Sequence, residues 1–159
     1  MQTDEKKVGF MPVYNKESKI LILGSFPSVK SREESFYYGN KQNRFWKVLS
    51  SFFNVDLPTT IDEKRELLLQ NHIALWDIVA SCNIVGSLDS AIQNYTLVDL
   101  MPVLKNSQIH SVVCNGATAH KLYLKGYAKL NYPCYKLPST SPANTRFAIE
   151  EWFIVLAKI

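Results

Sequence analysis

The sequence has few of the residues that build metal centres and disulfide frameworks. Three cysteines, Cys82, Cys114 and Cys134, lie far apart among 159 residues, and no two of them form a C-x-x-C pair. An odd number of scattered cysteines argues against structural zinc and disulfides, and it favours a reducing compartment. We therefore expect no metal site and a cytoplasmic, prokaryotic-type intracellular protein.

Several catalytic and nucleotide-binding motifs are also missing. Neither G-x-x-x-x-G-K-[ST] nor G-x-G-x-x-G occurs, so nucleoside triphosphates and dinucleotides lack their phosphate cradle. His72, His110 and His120 lack metal-ligand spacing, and the sequence elements of zinc nucleobase deaminases are absent. Ser25 and Ser28 do not form G-x-S-x-G, and no histidine stands where an α/β-hydrolase would need it. These enzyme classes are excluded.

No apolar run approaches the length of a membrane span, and residues 1–7 are charged, unlike a secretory signal. We therefore expect no membrane partner. The net charge of +4 permits a polyanionic partner without requiring one. The length and the 47% hydrophobic content fit a single domain over residues 1–159, with residues 1–8 as a flexible arm.

Four short apolar runs have the continuous pattern of strands that are covered on both faces of a parallel sheet. They span residues 20–23, 73–76, 109–114 and 134–137. Helical patterns lie between and after them, at residues 45–53, 60–70, 116–124 (stopped by Gly126) and 145–158. This alternation predicts a three-layer α/β/α sandwich around a central, mainly parallel four-stranded sheet.

Small polar residues, glycines and prolines follow all four predicted strands, at residues 24–28, 77–82, 115–117 and 138–146. Each segment alone is typical of helix caps and turns. Together, at the carboxyl edge of one sheet, they indicate a ligand site. Only Asp77 and Arg146 carry a charge there, so the site suits a planar, hydrogen-bonding ring.

The segment SREESFYYGNKQNRFWKVL, residues 31–49, holds three consecutive aromatic residues in an expected loop. Phe36, Tyr37 and Tyr38 need a flat surface to cover. That surface is either the protein core or the ring of a ligand, and the spacing of the residues leaves both open.

These segments together resemble the uracil-DNA glycosylase superfamily, and most closely its DNA-deoxyinosine (hypoxanthine-DNA) glycosylase branch. The resemblance covers residues 9–152 and depends on ILILGSFPS, SFYYGNKQNRFW, ALWDIVASC with GSLDS, CNGATAH and LPSTSPANTR. In this order and spacing the set is specific, although each piece alone is weak. Iron–sulfur branches of the superfamily need four cysteine ligands, which this chain lacks.

The resemblance implies a monofunctional DNA glycosylase of base excision repair, which needs no cofactor and hydrolyses the N-glycosidic bond of a deaminated base flipped out of DNA. The base would be hypoxanthine in deoxyinosine, with uracil or xanthine as further substrates, and the product an abasic site. We expect DNA as the partner and a monomeric enzyme. The alternatives are a catalytically silent nucleic-acid-binding module on the same fold and an unrelated small-molecule hydrolase.

The resemblance also implies roles for individual residues. Superfamily members that act on uracil place the attacking water with an Asp or Asn where this chain has Phe26. In the deoxyinosine branch the Asn of Q-N-R-F-W takes over, which is Asn43 here. Asp77 is the alternative water partner, or else a helix cap or buried hydrogen-bond anchor. The expected base pocket comprises Gly24, Ser25, Phe26, Pro27, Phe36, Tyr37, Tyr38 and Asn115, with Tyr38 stacking on the base.

The predicted contacts with DNA lie around the last strand exit and the first. They comprise Ser28, Ser139, Thr140, Ser141, Asn144 and Arg146. Arg146 is expected to open the last helix, and the tip at residues 142–144 is too small for a large intercalating plug. The basic residues Lys30, Arg32, Lys41, Arg44 and Lys47 either follow the DNA backbone or form a solvated face.

Overall fold

The structure, a computed structural model, describes residues 6–159. Seven strands form in this part of the chain: β1 (Lys7–Val8), β2 (Ile20–Gly24), β3 (Ile73–Asp77), β4 (Val79–Asn83), β5 (Gln93–Leu97), β6 (Ser111–Asn115) and β7 (Cys134–Leu137). Six α-helices accompany them: α1 (Val29–Glu34), α2 (Phe45–Phe53), α3 (Ile61–Gln70), α4 (Met101–Lys105), α5 (Ala117–Tyr127) and α6 (Ile149–Leu156).

The central sheet has four strands in the order β3-β2-β6-β7, and every pairing is parallel. Successive residues of β2 point to opposite faces. Ile20 and Ile22 join one buried cluster, to which α2, α3 and α6 contribute, while Leu21 and Leu23 join a second cluster with residues of α4 and α5. The predicted three-layer sandwich with a parallel four-stranded sheet is therefore confirmed.

A second sheet, with the order β1-β4-β5 and antiparallel pairing, was absent from the sequence prediction. The segment at residues 77–82 was expected to be a strand exit. Most of it instead forms β4, which only Ile78 separates from the end of β3. Lys7 and Val8 pair with Cys82 and Ser81, so the flexible arm expected over residues 1–8 is wrong at these two positions. Residues 1–5 of that arm lie outside the described residues.

The capping box at Thr60 and Glu63 opens α3 as expected. The expectation that Gly126 stops the preceding helix is wrong, because α5 continues to Tyr127. A Cβ on Gly126 would lie 2.7 Å from the end of the Leu97 side chain in β5 and near no backbone atom. Two short helices, α1 and α4, were not predicted. No helix within residues 6–159 is long and apolar enough to span a membrane.

Candidate active site

A cavity of about 380 Å³ opens at the carboxyl edge of the central sheet. Its walls come from the four predicted strand exits and from two segments that no strand exit includes. They comprise residues 24–28, Ser31, Tyr37, Tyr38, Asn43, Asp77, residues 87–90, Asn115, residues 139–141, Ala143 and Asn144. The location expected from the parallel topology is thus the location of the cavity.

The floor of the cavity is formed where β2 and β3 end side by side. Gly24 is paired with Asp77 at the last position of the two strands. A Cβ on Gly24 would overlap Oδ1 of Asp77 and lie 2.8 Å from the hydroxyl oxygen of Tyr38. Glycine is required here because its neighbours occupy the space that any side chain would need.

Asp77 is a buried carboxyl group without the partners that usually accompany one. Its side chain is 4% exposed, and its Oδ2 has no hydrogen-bond partner among the described residues. Burial raises the pKa of Asp77 to about 7, and the carboxylate of Asp89 adds to the shift. Asp77 caps no helix, because β4 follows it, and it anchors no hydrogen bond. Both structural explanations considered for it from the sequence are therefore wrong.

Asn115, at the end of β6, holds the cavity wall together. Its Nδ2 donates to the Tyr38 hydroxyl at 3.1 Å and to Thr140 Oγ1 at 2.9 Å. Its Oδ1 accepts from the Thr140 backbone N–H at 3.0 Å. Both amide protons of Asn115 are used within the protein, so its side chain supports the cavity wall and has no donor left for a ligand. Thr140 is fully buried by the same contacts and cannot reach a DNA phosphate.

The three consecutive aromatic residues divide between core and cavity. Phe36 is buried against Trp46, with ring centroids 6.2 Å apart, and it does not line the cavity. Its assignment to the base pocket is therefore wrong. Tyr37 borders the cavity, but it is buried and donates its hydroxyl to the Met11 carbonyl at 2.7 Å. The position of Phe36 follows from packing in the core.

Tyr38 faces the cavity, as the sequence predicted. One face of its ring stacks on Phe45, with centroids 4.2 Å apart and an interplanar angle of 22°. Its φ of 53° lies in the left-handed region, which reverses the chain after the buried Tyr37. Burial, together with the Asp77 carboxylate, raises the pKa of Tyr38 well above its usual value, so the hydroxyl keeps its proton.

Asn43 lies two residues before the first residue of α2, and it lines the cavity. Its Oδ1 accepts a hydrogen bond from the Phe45 backbone N–H at 2.9 Å, which fixes the orientation of the carboxamide. Its Nδ2 makes no hydrogen bond to another described residue. A fixed carboxamide with free donors is thus presented to the cavity.

The predicted DNA-binding loop is held by its own polar groups. Ser139 Oγ accepts from the Ser141 N–H, Ser141 Oγ accepts from the Ala143 N–H, and Asn144 donates to the Ser139 carbonyl. The two serine hydroxyls keep their protons for an outside acceptor. Arg146 is exposed but lies in a turn before α6, so the expectation that it opens the helix is wrong.

Ser28 and two basic residues serve internal contacts. Ser28 caps α1 by accepting from the Ser31 N–H at 3.1 Å, and its own hydroxyl donates to Ser31 Oγ. Arg32 donates to the Gly86 carbonyl at 2.6 Å, and Arg44 to the Ser141 carbonyl at 3.0 Å. These contacts place Ser28, Arg32 and Arg44 in the support of loops rather than in a free basic face.

Residues 87–90 form a further wall of the cavity, and no role was predicted for them although they belong to the GSLDS segment. Ser87 Oγ accepts from the Val29 N–H at 2.9 Å, and Asp89 Oδ1 accepts from the Ser25 hydroxyl at 2.5 Å. Asp89 could have indicated a functional role for this segment, because it is a charged residue within the GSLDS segment. Its position beside Ser25 could not be inferred, because 64 residues separate the two.

The fold and the position of the cavity agree with the family to which the chain matches. The model of the uracil DNA glycosylase superfamily matches residues 11–157. The protein belongs to this superfamily, and the resemblance drawn from its motifs is confirmed.

Individual relatives narrow the class. The chain is 34% identical over 146 residues to a hypoxanthine DNA glycosylase of Methanosarcina acetivorans, covering 89% of this chain and 90% of the relative. It is also 34% identical over 148 residues to a protein of that name from Methanosarcina barkeri, with the same coverage. The protein is accordingly an enzyme of the DNA glycosylase class.

A solved structure supports the same assignment. The solution NMR structure of a candidate uracil DNA glycosylase from Methanosarcina acetivorans superimposes with a TM-score of 0.85 at 31% sequence identity. The match covers 97% of this chain and 98% of the other. The agreement in fold thus extends over nearly the whole domain.

Gly24→Ala tests the packing of the cavity floor. The added methyl group must displace the Asp77 carboxyl or the Tyr38 hydroxyl, so we expect a loss of about 1–3 kcal/mol in the free energy of unfolding. Gly126→Ala is the matched control, because its methyl group would meet only the end of the Leu97 side chain. Denaturant unfolding measures both variants, and equal stability of Gly24→Ala and wild type would contradict the packing.

Asp77→Asn tests the buried carboxyl. The unfolded chain releases this proton near pH 3.8 and the folded chain near 7, so wild-type stability falls as pH rises between these values. Asp77→Asn has no proton to release at this position, so its stability does not fall in this way as pH rises. It should be more stable than wild type by roughly a few kcal/mol at pH 8, with a much smaller difference near pH 4. Unfolding at both pH values is the measurement, and a pH-independent difference would refute the assignment.

Proposed function

We propose that the protein hydrolyses the N-glycosidic bond of hypoxanthine in deoxyinosine, with uracil and xanthine as further substrates, and leaves an abasic site in DNA. The proposal draws on the two relatives named hypoxanthine DNA glycosylase. The observation that carries it is the set of polar groups on cavity-lining residues that have no hydrogen-bond partner among residues 6–159. These are Asp77 Oδ2, Asn43 Nδ2 and the backbone N–H groups of Ser25 and Phe26.

The unpartnered groups suit an extruded base. A glycosidic bond inside a duplex is inaccessible, so the nucleotide must leave the stack to enter the cavity. Hypoxanthine presents an acceptor at O6 beside a donor at N1–H. The backbone N–H groups of Ser25 and Phe26 can donate to O6, and the Asp77 carboxyl can accept from N1–H. Adenine presents a donor where hypoxanthine has O6, so the backbone donors would reject it. Uracil offers the same adjacent pair in a smaller ring.

Bond cleavage places negative charge on the leaving base and positive charge on the sugar. Fixed donors that face the base stabilise the first charge. The N–H groups of Ser25 and Phe26 directly follow β2. At the same point of the chain the Gly24 carbonyl accepts a hydrogen bond from the Ile78 N–H, and the Ser25 carbonyl accepts one from the Val79 N–H. This pairing with the start of β4 keeps both donors in place while the charge develops. Tyr38 supplies a protonated hydroxyl and an aromatic surface at the same wall.

Asn43 positions the attacking water in this proposal. An amide is no useful base at neutral pH, so Asn43 orients the water and leaves the cation-like sugar to provide the driving force. The hydrogen bond from Phe45 holds the carboxamide in one orientation. Asp77 remains the alternative water partner, because its unpartnered oxygen and raised pKa would allow it to accept a proton.

The protein is further proposed to act as a monomer in a reducing, cytoplasmic compartment. The sulfur atoms of Cys114 and Cys134 are 3.8 Å apart and are not joined by a disulfide, and Cys82 is also a free thiol. Free cysteines are the usual state in such a compartment.

The activity is tested with end-labelled duplexes that carry one deoxyinosine, deoxyuridine or deoxyxanthosine. Hot alkali converts each abasic site into a strand break. We expect cleavage at deoxyinosine and none in a matched duplex with deoxyadenosine at that position. Binding of the lesion without any product on these duplexes would contradict the proposal.

Substitution of Asn43 tests the water assignment. Asn43→Ser keeps an acceptor for the Phe45 N–H but removes the carboxamide, so it should fold normally and lose about 100-fold or more in single-turnover rate. Asn40→Ala is the matched control, since Asn40 lies on the same turn and does not line the cavity. If Asn43→Ser retains the wild-type rate, the assignment of the water to Asn43 is wrong, and Asp77 is the next residue to test.

A further inference from the structure

The extruded base leaves a gap in the duplex, and the loop expected to face it has no large side chain to fill it. Enzymes that distort DNA frequently insert an apolar side chain between base steps to hold the distorted state. Ala143 and Asn144 line one side of the cavity mouth. Neither is both large and apolar, so a wedge of this kind would have to come from another residue that lines the cavity.

Leu88 has the properties that a wedge requires. Its side chain is 62% exposed, and it lines the cavity between Ser87 and Asp89. Ten other large hydrophobic residues are exposed within residues 6–159, and none of them lines this cavity. Leu88 thus combines exposure, apolar character and a position at the mouth in a way that no other described residue does.

The backbone around Leu88 is held firmly although its side chain is exposed. Ser87 Oγ accepts from the Val29 N–H, and Asp89 Oδ1 accepts from the Ser25 hydroxyl. The Leu88 carbonyl itself accepts from the Ala91 N–H at 3.0 Å. Fixed neighbours on both sides keep the leucine at the mouth, so little conformational freedom would be lost when it meets DNA.

We propose that Leu88 inserts into the base stack of duplex DNA, in the gap left by the flipped nucleotide. This inference rests on the proposed glycosylase function and adds a positioning residue to it. Insertion would remove an exposed leucine from water and would block the return of the base. The cavity then holds the base while Leu88 occupies its former place.

The test compares duplex and single-stranded DNA that carry one deoxyinosine. A single strand has no paired stack to fill, so Leu88→Ala should slow single-turnover cleavage of the duplex about tenfold or more and change the single-strand rate less than about twofold. Val85→Ala is the matched control, because Val85 is equally apolar and exposed in the same loop but does not line the cavity. It should behave as wild type.

A rescue experiment separates a wedge from a merely structural role. A pyrene nucleoside opposite the deoxyinosine fills the vacated space itself, so it should restore most of the duplex rate of Leu88→Ala. An unchanged duplex rate, an equal loss on both substrates or a loss that pyrene does not restore would overturn the proposal. Thermal unfolding checks that the variant folds.

A second readout does not depend on cleavage. 2-Aminopurine placed beside the deoxyinosine becomes fluorescent when the stack opens. We expect wild type and Val85→Ala to increase the fluorescence on binding, and Leu88→Ala to produce much less at saturation. If wild type opens the stack but forms no product on any substrate, the glycosylase proposal fails while the wedge survives. If Leu88→Ala opens the stack as well as wild type, the wedge fails whatever the activity.

Discussion

Gly24 and Asp77 stand opposite each other at the last position of two parallel strands, and the Asp77 carboxyl occupies the space beside the Gly24 backbone. The Tyr38 hydroxyl approaches the same point. The depth of the cavity depends on this close approach, because a side chain on Gly24 would fill its floor. The pairing of β2 with β3 therefore shapes the site as well as the core.

The polar groups around the cavity fall into two sets with different roles. Asn115, Thr140 and Ser28 are used in hydrogen bonds within the protein, and they hold the walls. Asp77 Oδ2 and Asn43 Nδ2 have no hydrogen-bond partner in the described part of the chain. A site of this design meets its ligand with groups whose positions are already fixed, which is the arrangement that favours charge stabilisation during reaction.

The central sheet could be predicted from the sequence because its strands are continuous apolar runs, which only a doubly covered sheet explains. The second sheet could not, because β4 is polar at Ser81 and Asn83 and its pairing with Lys7 and Val8 spans a long stretch of chain. Likewise the row of aromatic residues predicts a flat surface without assigning it. In the structure, packing on Trp46 buries Phe36, whereas Tyr38, with its left-handed backbone, lines the cavity.

The same limit explains why the role of residues 84–92 could not be predicted from the sequence. Hydrogen bonds from Ser25, Val29 and Arg32, all distant in sequence, fix this loop beside the cavity. A leucine in a loop of serines and aspartate is unremarkable until those contacts place it at the mouth.

The unpartnered oxygen of Asp77 and the exposed side chain of Leu88 are both unfavourable in the free protein. One is a buried carboxyl oxygen with no donor among the described residues, and the other is an apolar group exposed to solvent. Each would become favourable in a complex with an extruded base, the first by accepting a hydrogen bond and the second by leaving water. Departures from local stability of this kind concentrate at functional sites. Their occurrence at the floor and the mouth of one cavity follows if both serve the same bound nucleotide.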